Sequence, residues 1–510
     1  MNLRRTTISL AAAVLLAGAL AAQDAAPTAA PTTPAPVPAA PLPELTLEQC
    51  IGRALQHNFD LEAFRYDPEI AKAAIDVARD PFQPVVTVDA SRSHARTVYP
   101  DSAVIADPLL SPRTLSDTTV ATAGVTQQFY SGTTVTVSSQ LERSHLDPAI
   151  AAYNPAYDAD LTLSIRQQLL RGFGTTINKA QVNRARIGFD RANLDFKAHV
   201  LDVIQSTENA YINVVFARDQ LDVRKFSLAL ADRLLSEART RRETGVATDL
   251  DVSSAEVGVA NARRGVLLAE QSVGDTQEAL LALIGQFELS APLGAMHFDE
   301  VGFALPVVSS SLEMARTTQP DYLSAQAAVE QAKLDLDVAK DNTKPSLSVG
   351  GAVGLNGSRD SAGSAFDDAA NSRSNNWQFD VSLTYPWGQV GDRARFRQAS
   401  ATLNQLQTRL KQTEQTIELQ VRSAVRAVET NAESVKISAQ ARDLSEKQYE
   451  LEKAKFDAGL STSYLVLQAQ NDLENAKVAE LQSEVSMRSA IAALHRIEGS
   501  SLQRYKISLP

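Results

Sequence analysis

Residues 60–88 read DLEAFRYDPEIAKAAIDVARDPFQPVVTV, and residues 321–349 read DYLSAQAAVEQAKLDLDVAKDNTKPSLSV. At a fixed offset of 261 they share Asp60/Asp321, Glu69/Glu330, Ala71/Ala332, Lys72/Lys333, Asp76/Asp337, Val77/Val338, Ala78/Ala339, Asp80/Asp341, Pro84/Pro345 and Val88/Val349. Both stretches carry apolar and alanine positions at helical spacing, then a proline, then alternation with a period of two. Downstream, residues 172–285 match 386–499 at an offset of 214, also without a gap. Ala185, Ala210, Val214, Leu230, Gly245, Thr248, Val252, Ala255, Asn261, Ala262, Ala279, Leu280 and Gly285 meet identical residues there. Chance supplies alanine matches readily, but it does not place Pro84/Pro345, Gly245/Gly459 and Gly285/Gly499 in register as well. The chain is therefore read as an internal duplication. The first copy spans 44–285, a linker 286–308, the second copy 309–499 and a tail 500–510. The offsets 261 and 214 differ by 47, so the first copy carries 47 extra residues between Val88 and Gly172.

Each copy opens with a helix. In the first, Thr46 and Gln49 have the spacing of a capping box, and the helical pattern runs to Arg79, where Pro81 and Pro84 stop it. A second helix is expected from Thr176 to Thr244, about 100 Å long at 1.5 Å per residue. Gly245 breaks it, and a third runs from Thr248 to Ile284, closing at Gly285. The opening helix (about 50 Å) and the third (about 55 Å) together match the long one. A helix of that length must lie along other helices, as in a coiled coil.

Between the helices, Leu161, Leu163 and Ile165 alternate with Thr162, Ser164 and Arg166. Phe379, Val381, Leu383 and Tyr385 alternate with Asp380, Ser382 and Thr384, and Val86 and Val88 share the parity of Leu347 and Val349. One apolar and one polar face over about ten residues is the pattern of a transmembrane barrel strand. Phe82, Phe173, Tyr385 and Trp387 cluster where strands meet helices, as a membrane-interface girdle does, although ordinary junction packing also gathers aromatics. The extra residues read as two further strands, Thr118–Phe129 and Thr133–Leu141, joined by a tight turn at 130–133 and flanked by long polar loops at 97–117 and 147–158. The first copy then offers four strands (about 84–170) and the second two; the alternative is an external hairpin above the sheet. Open sheet edges are not tolerated in lipid, so the barrel must close between several chains.

The chain begins with Arg4 and Arg5, an apolar stretch from Ile8 to Leu20 and an A-x-A site at Ala19 and Ala21. This is the layout of a secretory signal over 1–21. Residues 22–43 are mostly Ala, Pro and Thr and read as a flexible linker. With Lys+Arg 49 against Asp+Glu 60, the net charge is −11. An acidic balance argues against nucleic-acid binding. The single Cys50 excludes an internal disulfide.

The start LTLEQCIGRALQHN at Leu45–Asn58, the proline strand entries, the Gly245 and Gly459 breaks and the duplication together resemble the TolC family of outer-membrane efflux proteins, over nearly all of Leu45–Gly499. The resemblance implies an α+β membrane protein: a long α-helical coiled-coil barrel in the periplasm and a transmembrane β-barrel in outer-membrane lipid, completed by trimerisation. With six strands per chain a trimer has 18 strands, against the family's usual 12. The resemblance further implies docking to a periplasmic adaptor and an inner-membrane pump, no cofactor, and cargo, small molecules or polypeptides, that passes chemically unchanged. The hairpins 244–251 and 458–465 would form the periplasmic tip. Gly245, Val246, Thr248, Gly459, Leu460 and Thr462 are the adaptor-docking candidates, with Val246 and Leu460 as apolar contacts unless they cap the helices internally. Asp251 matches a family gate aspartate and Phe456 a gate aromatic. Leu465 and Gln468 stand where the family archetype has two further aspartates, so Asp249, Asp251, Arg241 and Arg242 are the candidates for a different gate.

A search for chemistry returns no HExxH, CxxC, G-x-S-x-G or phosphate loop. The six histidines are scattered, no catalytic or metal residue is assigned, and Asp367-Asp368 reads as a solvated turn with at most a weak calcium site. The rival reading is a periplasm-spanning coiled-coil spacer or adhesin without a pore, which leaves the alternating strands unexplained.

Overall fold

The computed structural model describes residues 44–98, 113–147, 152–245, 248–285, 287, 289, 293–298, 305–371 and 374–508. The signal and linker expectations for 1–43 lie outside these residues, as does Val246. The first copy opens with α1 (Leu47–His57), α2 (Phe59–Phe64) and α3 (Tyr66–Arg79) rather than one continuous helix. The reason is Asn58, which leaves helical geometry (ψ 122) and accepts a hydrogen bond on its side-chain oxygen from the Leu61 amide, capping α2. Asparagine competes with the helix ladder in this way. The Thr46–Gln49 capping box is present. After a single 3-10 turn the chain enters β1 (Val85–Val98), β2 (Arg113–Gln128), β3 (Thr133–Asp147) and β4 (Ala156–Gln168). A short α4 (Thr175–Asn178) leads to α5 (Ala180–Glu243), followed by α6 (Asp249–Leu283). The second copy follows with α7 (Val308–Thr318), α8 (Pro320–Asn342), β5 (Ser346–Arg359), α9 (Ala362–Ala370), β6 (Ser374–Thr384), α10 (Val390–Asp457) and α11 (Ser463–Glu498), then α12 (Ser501–Arg504).

The six strands form one antiparallel meander, β1-β2-β3-β4-β5-β6. The extra residues therefore add β2 and β3 to the sheet rather than an external hairpin. Both strands are longer than the sequence suggested, because 113–117, read as loop, and 142–147, beyond the expected strand end at Leu141, continue the ladder. α9 is a second correction. Residues 362–370, read as a solvated turn around Asp367-Asp368, are helical, and Asp368 forms an ion pair with Arg359. Among the described residues no group of His, Cys, Asp and Glu is placed to hold a metal ion.

The helical part is built twice on the same plan. α5 packs along α6 and α10 along α11. Val214 and its repeat partner Val428 are both fully buried, as are Ala54 and Ala315, while Leu280 and Leu494 are 0% and 2% exposed. Asn58 and its partner Gln319 interrupt the opening helix with the same backbone (φ −71 in both), the latter followed by Pro320. Gly285 and Gly499 close α6 and α11 at φ +74 and +71, a left-handed conformation that favours glycine. A Cβ on Gly285 would stand 1.9 Å from the His57 carbonyl oxygen, so the helix end meets the break in the opening helix backbone to backbone.

No helix among the described residues is long and apolar enough to cross a membrane.

Candidate functional site: hairpin tips and sheet faces

The first tip turns at Gly245 (φ +78) and the second at Gly459 (φ +76). Both next helices start on a threonine cap: Thr248 accepts from the Asp251 amide and Thr462 from the Leu465 amide. Asp251 completes the first capping box. Its carboxylate accepts from the Thr248 amide (2.9 Å) and hydroxyl (2.7 Å), and these bonds hold it below the usual carboxylate range. Leu460 stands 80% exposed at the second tip, with Leu250 and Tyr464 exposed nearby.

Of the gate candidates, the structure brings Arg241 and Phe456 together. Phe456 is buried against Leu234 and Val466. The Arg241 guanidinium lies 4.0 Å above the Phe456 ring, donates to its carbonyl oxygen at 2.9 Å and reaches the Asp457 carboxylate at 3.4 Å. This ties the end of α5 to the end of α10. Arg242 instead pairs with Asp249 at 2.6 Å across the first tip, largely in solvent. Further along the rod, Glu474 of α11 pairs with Arg224 and accepts from the Ser227 hydroxyl, while Gln470 donates to the Ser227 carbonyl at 2.8 Å. Sequence reasoning missed this clasp; the only signal was polar residues on the inward face of α5.

At the other end of the rod, Phe82 rests on Tyr130 (4.3 Å between ring centroids), and Phe173 sits between the left-handed Gly172 and Gly174. Tyr385 and Trp387 are exposed, Trp387 almost completely. In the sheet, register places Val86, Val125, Val137, Leu163, Val353 and Trp377 in one row on one face. All six are exposed, from 42% at Val125 to 79% at Trp377. The opposite face carries Thr, Ser, Asn and Gln with Asp89, Glu142, Asp158 and Asp160, and an Arg166–Asp380 ion pair at 3.3 Å.

The outer membrane efflux protein family profile matches residues 134–286 and 311–500. The chain belongs to the outer membrane efflux protein family. It is an outer-membrane efflux channel with its helical part in the periplasm. It is 24% identical over 355 residues to the pyoverdine export outer membrane protein OpmQ of Pseudomonas putida, covering 68% of this chain and 71% of that one. It is 25% identical over 327 residues to the outer membrane protein TolC of Vibrio cholerae, covering 60% and 70%. Among solved structures, the fold is similar to the Campylobacter jejuni CmeC outer membrane channel (TM-score 0.65, 17% identity, 91% of this chain and 90% of that one). It is also similar to the open state of the Neisseria gonorrhoeae MtrE outer membrane channel (TM-score 0.62, 18% identity, 89% of each). The family match begins inside β3, just after the β2–β3 turn, so β1 and β2 lie before it.

A cavity of about 250 Å³ lies among α1, α5 and α11, lined in part by Glu208, Tyr211, Arg488, His495 and Tyr505. Glu208 accepts a hydrogen bond from the Tyr505 hydroxyl at 2.5 Å, and burial raises its pKa. Burial, with Arg504 beside it, lowers that of His495 to about 4. The cavity is distant in the fold from the tips and holds no nucleophile–base pair.

Proposed function

We propose that three copies of the chain close a single conduit, with an 18-stranded barrel in the outer membrane and a helical barrel across the periplasm. The supporting observation is a six-stranded sheet with one apolar face and two bare edges, β1 and β6. Bare edges in hydrocarbon cost several kcal/mol per unpaired group, and pairing β6 of one copy with β1 of the next removes them. Six strands from each of three chains give 18. At a strand spacing of about 4.8 Å and a tilt near 40°, that corresponds to a diameter of roughly 36 Å, against roughly 24 Å for 12 strands. The helices support the same closure. Ile437, Leu444 and Leu451 recur at heptad spacing on α10 and stand 60–66% exposed, an apolar stripe with no cover inside one chain.

The tips are the periplasmic mouth. Gly245, Thr248, Gly459 and Thr462 shape the two hairpins, and Leu460, with Val246, offers the apolar contact for a periplasmic adaptor that couples the channel to an inner-membrane pump. Arg241, Phe456 and Asp457 act as a latch between hairpins, and Arg242–Asp249 as a solvent-exposed second tie. Asp251 serves chiefly as a helix cap, so its part in the gate is to hold the tip's shape. Phe82, Phe173, Tyr385 and Trp387 mark the periplasmic membrane interface. Cargo is small molecules or polypeptides, moved without chemical change.

A cysteine scan tests the closure. Pairs combining Thr87→Cys or nearby β1 positions with Ser382→Cys or nearby β6 positions should yield disulfide-linked trimers on a denaturing gel. The native Cys50 is buried and does not compete. Only monomers across the whole scan would rule out the β1–β6 seam.

A further inference from the structure

The two faces of the sheet differ in charge as well as polarity. Following the apolar face up β5 from Leu347, the rows pass Val349, Gly351, Val353 and Leu355 to Gly357. Ten residues of strand at about 3.3 Å each, tilted near 40°, make a band about 25 Å tall, the height of a lipid-facing band. Its last row is small apart from Leu141: Ala90, Ala121, Leu141, Ala159 and Gly357. The next row reads Arg92, Thr119, Arg143, Tyr157 and Arg359 across five consecutive strands. One row higher stand His94, Asp117 and His145. Three arginines and an aromatic thus stand directly at the end of the apolar band distal to the helices, on the outward face. At that height the opposite face carries Glu142 and Asp158 paired across β3 and β4, with Asp160 one row below.

Helix α9 covers one end of this belt. It lies on the shelf of small residues, with Ala365 and Ala369 buried and so close that a Cβ on Gly357 would meet the Ala365 carbonyl oxygen at 2.0 Å. Its Asp368 neutralises Arg359. In the rest of the belt Arg143 and Tyr157 are half-buried and Arg92 is exposed. Arg143 forms no ion pair with any described residue, and Arg92 is 71% exposed with only a 3.9 Å approach to Asp117. The remaining acid of this face is Asp147, beyond the histidine row.

We infer that Arg143 and Arg92, flanking Thr119 and with Tyr157 beside Arg143, bind the phosphate groups of an outer-leaflet lipid. The inference rests on the reading that the apolar face meets lipid. A guanidinium offers a planar fork that suits phosphate oxygens, and the tyrosine suits the boundary where one end of a ring is dry and the other wet. Charge complementarity and continuity with the hydrocarbon band single out a lipid phosphate as the occupant. Each chain of an oligomer repeats the belt, giving a basic collar around the channel's outer rim.

The test uses the full protein in lipid nanodiscs of phosphatidylcholine, titrated with bis-phosphorylated lipid A or its dephosphorylated form, with bound lipid counted by native mass spectrometry. The wild type should retain the phosphorylated lipid selectively. R92Q/R143Q should bind it about 30-fold more weakly, at the worth of a basic side chain near an anionic surface. R92K/R143K should recover part of the affinity, and D160N, on the other face, should bind as the wild type does. Equal binding by R92Q/R143Q, or equal binding of the dephosphorylated lipid, overturns the proposal. A second readout separates it from the underlying reading. In a W387F background Trp377, mid-band on the apolar face, should be quenched by acyl-chain-brominated lipid. Quenching without lipid A selectivity removes only the arginine site, whereas no quenching removes the lipid-facing assignment and the site together.

Discussion

Replacing Arg241 with alanine removes three contacts at once: the donated bond to the Phe456 carbonyl at 2.9 Å, the cation–π contact at 4.0 Å and the 3.4 Å pairing with Asp457. A hydrogen bond from a charged donor contributes about 1.5–3 kcal/mol when shielded. The Arg241 side chain is 27% exposed, so the lower end applies. The stacked guanidinium adds about 0.5–1 kcal/mol. The Asp457 pair, with that carboxylate 54% exposed, adds little. About 2 kcal/mol is therefore expected, roughly a 30-fold shift if opening separates the two hairpin ends. A tip closed about 99% of the time would then be open about a quarter of the time. Planar-bilayer recordings should show this as long-lived large-conductance states in R241A. R241K should fall between, because lysine keeps the charge but not the planar fork. Nitroxides at the exposed positions 250 and 464 should report a longer, broader distance distribution in R241A. Unchanged conductance and unchanged distances in a variant that folds and assembles normally would refute the latch.

Three further outcomes follow from the same geometry. G285A must fit a Cβ against the His57 carbonyl and hold a left-handed backbone, so it should lose more than about 3 kcal/mol, read as a lower denaturation midpoint. G499A, where the nearest atom is 3.0 Å away, should lose less. His495, with its pKa depressed to about 4 when folded, is neutral in both folded and unfolded states above about pH 6.5, so its penalty is absent there. As the pH falls from 6.5 towards 4 only the unfolded chain takes up the proton, and stability should fall by on the order of 3 kcal/mol. Glu208, raised by burial, acts in the opposite sense, so the measurement is the difference between the pH profiles of wild type and H495N. The acidic wall of Asp89, Glu142, Asp158 and Asp160 should make the conduit cation-selective. E142Q/D158N/D160N should move the reversal potential in a salt gradient towards zero, and no movement would place these side chains away from the ion path.

Much of the architecture was legible because it is periodic and written twice. Gly245 and Gly459, the threonines three residues on, and the glycines at 285 and 499 each mark a backbone event that repeats at one offset. The alternation at 161–166 and 379–384 named the faces of the sheet correctly, and the 47-residue surplus located β2 and β3. What stayed hidden was local competition and side-chain choice. Asn58 breaks the opening helix by capping the next one, a matter of one rotamer that apolar spacing does not register, and Gln319 makes the same backbone break ahead of Pro320 with no side-chain cap. The strand ends at 113–117 and 142–147 were not legible as strand because polar residues above a membrane band obey no hydrophobic alternation. The belt of Arg92, Arg143 and Arg359 is invisible until register aligns three distant strands. Asp251 and Phe456 were singled out by resemblance; the cap spacing of Thr248 and Asp251 is local, whereas the pairing of Phe456 with Arg241, 215 residues away, follows only from three-dimensional placement.

The central claim is that this chain forms a closed conduit with itself, and single-particle electron microscopy of the detergent-extracted protein tests it most directly. The account predicts a threefold hollow cylinder, a helical stem about 100 Å long, and 18 strands in its barrel with β2 and β3 in the wall. A solid rod or a monomer, or a 12-stranded barrel with residues 113–147 outside it, would contradict it.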